Sequence, residues 1–285
     1  MSAPFKTLIV GCGYVGLPLA LRLKEGGHAI DAWVHSPASA EALAPHQFRQ
    51  VVAGSVADPA LWETVDDDYD LVVHCASSGR GGEADYEQVF LKGMLMINST
   101  QPMARRLFVS STSMYRQTDG SIVTEESAAE PDTATGRILR VAEKVAVDSG
   151  ATVVRSSGIY GPGRGVLFDK FRRGEAVLEG DGSRLLNQIH QRDLVAAIVH
   201  LMQMEAFGEI YNATDDTPVT LRDYYTLCAE FLHRPMPPSG PENPHPKRGR
   251  TSKHVSNSKL RATGWAPQYP SFREGIAADH AYSPR

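Results

Sequence analysis

The sequence predicts an α/β fold: a doubly wound parallel sheet carrying a smaller C-terminal substrate lobe. Three observations lead there. Short apolar runs alternate with amphipathic stretches through the first two-thirds of the chain. The first run feeds a glycine-spaced turn, Gly11-x-Gly13-x-x-Gly16. Past Arg155 that alternation gives way to clustered Gly and Pro, as in "GIYGPGRG". At 285 residues, 42% apolar and 22% charged, the chain can bury one large core or one core with a side lobe.

The strands come first. "TLIV" and "LVV" are continuously apolar, as strands covered on both faces must be. The expected strands are Thr7–Val10, Ala29–Val34, Arg49–Val52, Leu71–His74, Leu107–Ser110 and Thr152–Arg155. Helical patterns fall between them near Val15–Glu25, Pro37–Leu43, Pro59–Thr64, Ala84–Ile97 and Ala134–Asp148. Strands separated by helices pair in parallel, because each crossover must return along a covered face. In the last helix Ile138, Val141, Ala142 and Val145 recur at helical spacing and are expected to face the sheet.

Later elements follow. "EGDGSRLLN" reads as a turn feeding a strand, and "QRDLVAAIVHLMQM" as a helix. "GEIYNAT" reads as a strand returning to the sheet near 208–213. "TLRDYYTLCAEFL" is a helix with Thr220 as its N-cap. The dinucleotide-binding domain is therefore expected at 1–160 plus the returning strand, and 161–285 is mostly the interleaved lobe. "HRPMPPSGPENPHPKRGR" is a proline-rich loop. Its basic cluster Lys247, Arg248, Arg250 and Lys253 reads as a solvated face, the alternative being contact with a substrate phosphate.

Composition excludes several classes. A net charge of −4 gives no nucleic-acid footprint over the whole chain. No apolar run approaches the roughly 18 residues that span a bilayer. The start, "MSAPFKTLIV", has no signal-peptide layout. Cys12, Cys75 and Cys228 are widely spaced and form no C-x-x-C pair, so free thiols in a reducing cytoplasm and no metal site are expected.

The glycine turn is the chemical signal. Gly11 permits the tight turn, Gly13 lets backbone approach a pyrophosphate, and Gly16 lets the helix pack on the strand, as in Rossmann-type folds. The helix N-terminus then offers N–H groups and a positive dipole end, which brings Tyr14 and Val15 to the phosphates. The second strand helps choose the dinucleotide. A site selecting NAD usually carries an acid at its end to hold the ribose 2′-hydroxyl. Asp31 lies too early, mid-strand, and the strand ends at Val34-His35-Ser36. With no carboxylate there, and with His35 and Ser36 able to donate to a 2′-phosphate, NADP(H) is favoured over NAD(H).

The segments "VGCGYVG", "DLVVHCAS", "LFVSSTSMY", "VVRSSGIYGPGRG", "IHQRDLVAAIVHLM", "EIYNATDDTPVTLRDY" and "SNSKLRATGW" occur in that order over nearly the whole chain. Together they resemble the extended short-chain dehydrogenase/reductases, the NAD-dependent epimerase/dehydratase group. The atypical, YeeZ-like members share "GxGYVG", "SSTSxY" and "GR-x-L-x-x-AE". By that resemblance Ala76 and Ser77 border the cofactor, and Ser111 hydrogen-bonds a substrate oxygen beside the nicotinamide. Arg155, Ser156, Ser157 and Ile159 would sit where the sixth strand passes that ring. Tyr160-Gly161-Pro162-Gly163 would open the substrate lobe, and His190 with Asp193 would brace it. The resemblance also implies a small polar substrate such as a sugar or nucleotide sugar. It implies a homodimer through the helices at Ala84–Ile97 and Ala134–Asp148.

One departure matters. The family's acid/base is a tyrosine with a lysine four residues later on the helix after "SSTSMY". Anchoring that pattern on Glu143 puts Thr135 and Leu139 at those positions, and no tyrosine lies between Tyr115 and Tyr160. A threonine hydroxyl is too weak an acid, and leucine carries no charge. The replacements on offer are Arg137 for the positive charge and Tyr115 or Tyr160 for the acid. Two readings follow: an oxidoreductase, epimerase or dehydratase lacking the dyad, or a dinucleotide-binding sensor without catalysis. "GYVGLPLA" also resembles the start of nucleotide-sugar dehydrogenases, which oxidise through a cysteine, but no cysteine here sits in their Gly-rich context.

Overall fold

The computed structural model describes residues 4–79, 81–204, 208–242 and 251–279. Lys247, Arg248 and Arg250 of the basic cluster lie outside the described residues. The chain forms two compact units. The first comprises Met1–Met114, Pro131–Arg155 and Ile198–Tyr211, and the second Tyr115–Glu130, Ser156–Ala197 and Asn212–Arg285. The sequence expectation cut the chain at residue 160. The segments 115–130 and 156–160 instead belong to the second unit, where Tyr115 and Tyr160 enter its cores.

The elements run in chain order from β1 (Lys6–Val10), α1 (Gly16–Glu25), β2 (Ala29–Val34), α2 (Pro37–Leu43) and β3 (Gln50–Ala53). Next come α3 (Pro59–Trp62), β4 (Leu71–His74), α4 (Glu83–Tyr86), a π-helical turn at Glu87–Lys92, α5 (Gly93–Thr100) and β5 (Arg105–Ser111). There follow β6 (Ile122–Val123), α6 (Ala134–Asp148), β7 (Thr152–Ser156), β8 (Gly158–Tyr160), α7 (Val166–Arg172), β9 (Leu178–Glu179), β10 (Leu185–Leu186) and β11 (Gln188–His190). The rest are α8 (Gln191–Gln203), β12 (Ile210–Ala213), β13 (Val219–Thr220), α9 (Leu221–Leu232), β14 (Ser239–Gly240), β15 (His254–Val255), α10 (Ser258–Ala262) and α11 (Phe272–Ala278).

A seven-stranded sheet in the order β12-β7-β5-β4-β1-β2-β3 organises the first unit. Pairing is parallel in β1–β2, β1–β4, β2–β3 and β4–β5. The winding reverses between β1 and β4, which opens the crevice that doubly wound sheets use for ligands at their carboxyl ends. β4 and β7 are buried at every position, as strands covered on both faces must be.

Helix α6 departs from its periodicity. Its buried positions are Gly136, Leu139, Ala142, Glu143 and Ala146, while Val141 is exposed. The inward face is rotated because an ion pair sets it. Arg155 on β7 is 2% exposed and Glu143 fully buried, with Nε donating to Oε1 at 2.9 Å and Nη2 to Oε2 at 2.6 Å. Desolvating either charge alone would be prohibitive, so the pair dictates which side of the helix turns inward.

Among the described residues, two cores lie in the second unit. Tyr160, Phe168, Tyr224, Phe272 and Ile276 build the larger, with α11 so close that a Cβ on Gly275 would stand 2.0 Å from the Tyr160 hydroxyl. Tyr115, Val123 and Val255 form the smaller, joined by parallel pairing of β6 and β15. Thr220 caps α9, its hydroxyl accepting from the Asp223 N–H at 3.0 Å.

Candidate functional site

At the switch point β1 runs into the glycine turn. Gly11 has φ +93°, and a Cβ there would lie 2.3 Å from Ala76 Cα on the neighbouring strand end. A Cβ on Gly16 would lie 2.3 Å from the Gly11 carbonyl oxygen. Those two glycines are required by packing within the protein. Gly13 differs: it is exposed, and a Cβ there would meet nothing within 4 Å. Its bareness serves no internal contact and leaves open space before a helix that no side chain caps. The N–H groups of Tyr14, Val15 and Gly16, which lead into α1, thus border a cradle that suits a pyrophosphate. In a dinucleotide bound there, the nicotinamide would supply hydride chemistry.

The end of β2 carries no acid. Asp31 is 1% exposed and lies mid-strand, taken up by Arg49, whose Nε donates to it at 3.0 Å, and by the Tyr69 hydroxyl. His35 is exposed, and Ser36 caps α2, its Oγ accepting from the Ser39 N–H at 3.3 Å. Beyond β4, Ala76 is half-buried and Ser77 exposed, its Oγ accepting from the Gly79 N–H at 3.1 Å. At the end of β5 the Ser111 Oγ accepts from the Ser113 N–H at 3.1 Å, which leaves its own proton to donate.

The thiols beside this turn stay protonated near neutral pH. Burial pushes the Cys12 pKa up to about 12 and Cys75 higher still, so neither supplies a thiolate near neutral pH. A cysteine-based oxidation has no nucleophile here. Among the described residues no group of three or more His, Cys, Asp or Glu could hold a metal, and no helix is long and apolar enough to cross a membrane.

Both tyrosines offered as replacement acids are withdrawn by their surroundings. Tyr115 is fully buried, its hydroxyl donating to Asn212 Oδ1 at 2.9 Å. Tyr160 is 2% exposed, its hydroxyl turned to the Ser271 carbonyl at 3.4 Å, and burial raises its pKa far above the phenol range. Arg137 is exposed, donating to the Asp132 carbonyl at 2.8 Å, so it ties down the loop entering α6. In the second unit Ser156 is buried, its hydroxyl donating to the Ser157 carbonyl at 3.0 Å, and Ile159 is half-buried. Asp193, in the first turn of α8, accepts from the Gln268 and Tyr269 N–H groups at 2.7 and 3.0 Å. His190 lies 3.4 Å from Asp279, and burial holds its pKa down to about 4.

The structure therefore brings Gly11, Gly13, Tyr14, Val15, Gly16, His35, Ser36, Ala76, Ser77 and Ser111 to the carboxyl ends of β1, β2, β4 and β5 in one unit. The sequence pattern of the NAD dependent epimerase/dehydratase family matches residues 7–214, from the start of β1 through the last strand of the sheet. The chain belongs to that family.

This family member is similar to protein YeeZ of Escherichia coli (strain K12), 28% identical over 238 residues that cover 80% of this chain and 84% of YeeZ. Its fold is similar to MoeE5 in complex with UDP-glucose and NAD, with a TM-score of 0.79, 20% identity and coverage of 97% and 98% of the two chains. It is also similar to a dTDP-glucose 4,6-dehydratase from Bacillus anthracis str. Ames in complex with NAD, with a TM-score of 0.80, 17% identity and coverage of 95% and 94%. On α6 of this member, Leu139 is 4% exposed, Thr135 is half-buried, and Glu143 is committed to Arg155.

Sequence reasoning missed two features. One is the Glu143–Arg155 pair. The other is Lys253, grouped with a solvated face but 4% exposed. Its signal was present: it directly precedes the short β15 pattern His254-Val255.

Proposed function

We propose that this protein binds a nicotinamide dinucleotide at the Gly11–Gly16 turn and acts as an oxidoreductase or epimerase on a polar small molecule, such as a sugar or nucleotide sugar, without a Tyr-Lys dyad. The observation that carries this is Gly13, a glycine with nothing within 4 Å of where its Cβ would be, set before an uncapped helix at the sheet's switch point. Ser111 would hold the reacting oxygen through its hydroxyl proton. General acid catalysis typically contributes about 10²–10⁴-fold, so turnover with water as proton donor would be slow. NADP(H) is favoured over NAD(H), because β2 ends without a carboxylate and Asp31 is committed to Arg49.

A second reading, a dinucleotide-binding sensor without catalysis, draws on the closure of Tyr115 and Tyr160 in unit cores. NADPH doubly deuterated at C4 separates the two: deuteride moving to the carbonyl carbon of the 4-keto forms of UDP-glucuronic acid or UDP-glucose, with NADP⁺ formed and the oxygen taking a proton from water, supports the enzyme, and binding with no transfer across the panel supports the sensor. Gly13→Asp should abolish dinucleotide binding in either case; unchanged affinity would remove the site. Comparing both dissociation constants at one salt concentration tests the preference, and clearly tighter NADH binding would overturn it. A homodimer is part of this proposal. Leu95 on α5 and Val141 on α6 are each 49% exposed apolar side chains in the first unit. Sedimentation of the wild type against Val141→Glu tests it.

A further inference from the structure

Lys253 is an ammonium in the wrong place for a surface residue. It is 4% exposed, and its Nζ donates to the Tyr115 carbonyl at 2.7 Å. An ammonium has three donors. Among the described residues that carbonyl is its one acceptor, and no carboxylate lies within ion-pair distance. Burial accordingly holds its pKa down to about 8. A single neutral carbonyl returns less to a charged donor than a buried unpaired charge costs. A Gln or Ser would satisfy that carbonyl without the charge.

The lysine is also rigidly framed within the second unit. On one side the Ser252 N–H donates to the Gln117 carbonyl at 3.0 Å, and the Gly120 N–H to the Ser252 carbonyl at 2.9 Å. On the other the His254 N–H donates to the Ser121 carbonyl at 2.9 Å. Asn187 closes the frame: its Nδ2 donates to the Lys253 carbonyl at 2.9 Å and its Oδ1 accepts from the Val255 N–H at 2.8 Å. Among the described residues this cation has no counter-charge and two donors to spare, an arrangement that suits an incoming negative charge.

We propose that Lys253 is a ligand-binding residue that takes an anionic oxygen group, carboxylate or phosphate, of the small-molecule substrate. This rests on the reading of the protein as one that takes a polar small molecule. The test uses the full chain saturated with NADP⁺, so that the glycine turn is occupied, with D-glucuronate and UDP as calorimetric probes. D-glucuronate reports a sugar carboxylate and UDP a nucleotide diphosphate. Lys253→Met keeps the apolar stem and removes the charge; Lys253→Arg retains a cation. At least one probe should bind wild type about tenfold or more tighter than Lys253→Met, with part of the affinity kept by Lys253→Arg. Without probe, Lys253→Met should melt no lower than wild type, because an uncompensated buried charge has been removed. Equal binding to wild type and Lys253→Met, or binding of neither probe to wild type at millimolar concentration, would overturn the proposal. So would a lower melting point for Lys253→Met, the mark of a purely structural contact. NADP⁺ titration and deuterium transfer are separate readouts, so failure here is distinguishable from failure of the dinucleotide reading.

Discussion

Replacing Glu143 by Gln keeps the side chain's size and removes its charge, leaving the Arg155 guanidinium buried without that carboxylate. The contacts are 2.9 and 2.6 Å, with the side chains 2% and 0% exposed. Fork-on-carboxylate geometry puts the charge centres roughly 4 Å apart, worth about 4 kcal/mol at an effective dielectric of 20. Breaking buried pairs one partner at a time costs about 3–5 kcal/mol, which agrees. Arg140 also reaches Glu143, at 3.3 Å, but its side chain is 45% exposed and adds under about 1 kcal/mol. For a chain this long, each kcal/mol lowers Tm by roughly 2–4 °C, so Glu143→Gln should melt roughly 6–20 °C below wild type. The double variant Glu143→Met/Arg155→Met buries no charge and should recover most of that loss. Thermal unfolding of wild type, both single variants and the double variant gives the cycle. A Glu143→Gln loss under about 1 kcal/mol, or a double variant no better than the singles, would show that the pair does not set the helix face.

Further outcomes follow from the same geometry. Gly11→Ala should lower stability by at least about 2 kcal/mol, since its φ is +93° and its new methyl would lie 2.3 Å from Ala76 backbone; chemical denaturation reads this directly. Tyr115→Phe should cost about 1–3 kcal/mol through the lost bond to Asn212 while dinucleotide affinity stays unchanged by fluorescence titration. His74 is buried with its pKa lowered from 6.5 to about 4. A depressed pKa means the unfolded chain binds the proton first, so stability is present above about pH 6.5 and is lost as pH falls toward 4, by up to about 3 kcal/mol. Denaturation of wild type and His74→Asn at pH 7 and pH 5 should show a shallower pH slope in the variant.

The parallel sheet was legible because strands covered on both faces must be continuously apolar, and β1 and β4 are. The glycine turn was legible because Gly11 and Gly16 answer steric demands inside the protein: a Cβ built on either would lie 2.3 Å from backbone atoms. What escaped was charge turned inward. Glu143 and Lys253 read as polar surface by any periodicity count, since a pattern records residue type and not partner. Glu143 goes inside because Arg155, on the next strand, meets it. Val141 goes outside because that pair, and not apolar spacing, decides the rotation of α6. Tyr115 and Tyr160 looked available as acids because a sequence gives no depth, and both lie under cores assembled from distant segments.

The three cysteines have a practical use. Cys12 and Cys75 flank the glycine turn in the first unit, Cys228 sits in the larger core of the second, and burial raises the pKa of all three. None should react with iodoacetamide while the fold is closed. Labelling must wait for local opening, so its rate becomes a clock for the hydrophobic interior around each sulfur. Mass-resolved kinetics at Cys12 and Cys75 would then time the breathing of the glycine turn. The rate at Cys228 would time the other unit independently, with no probe engineered into the chain.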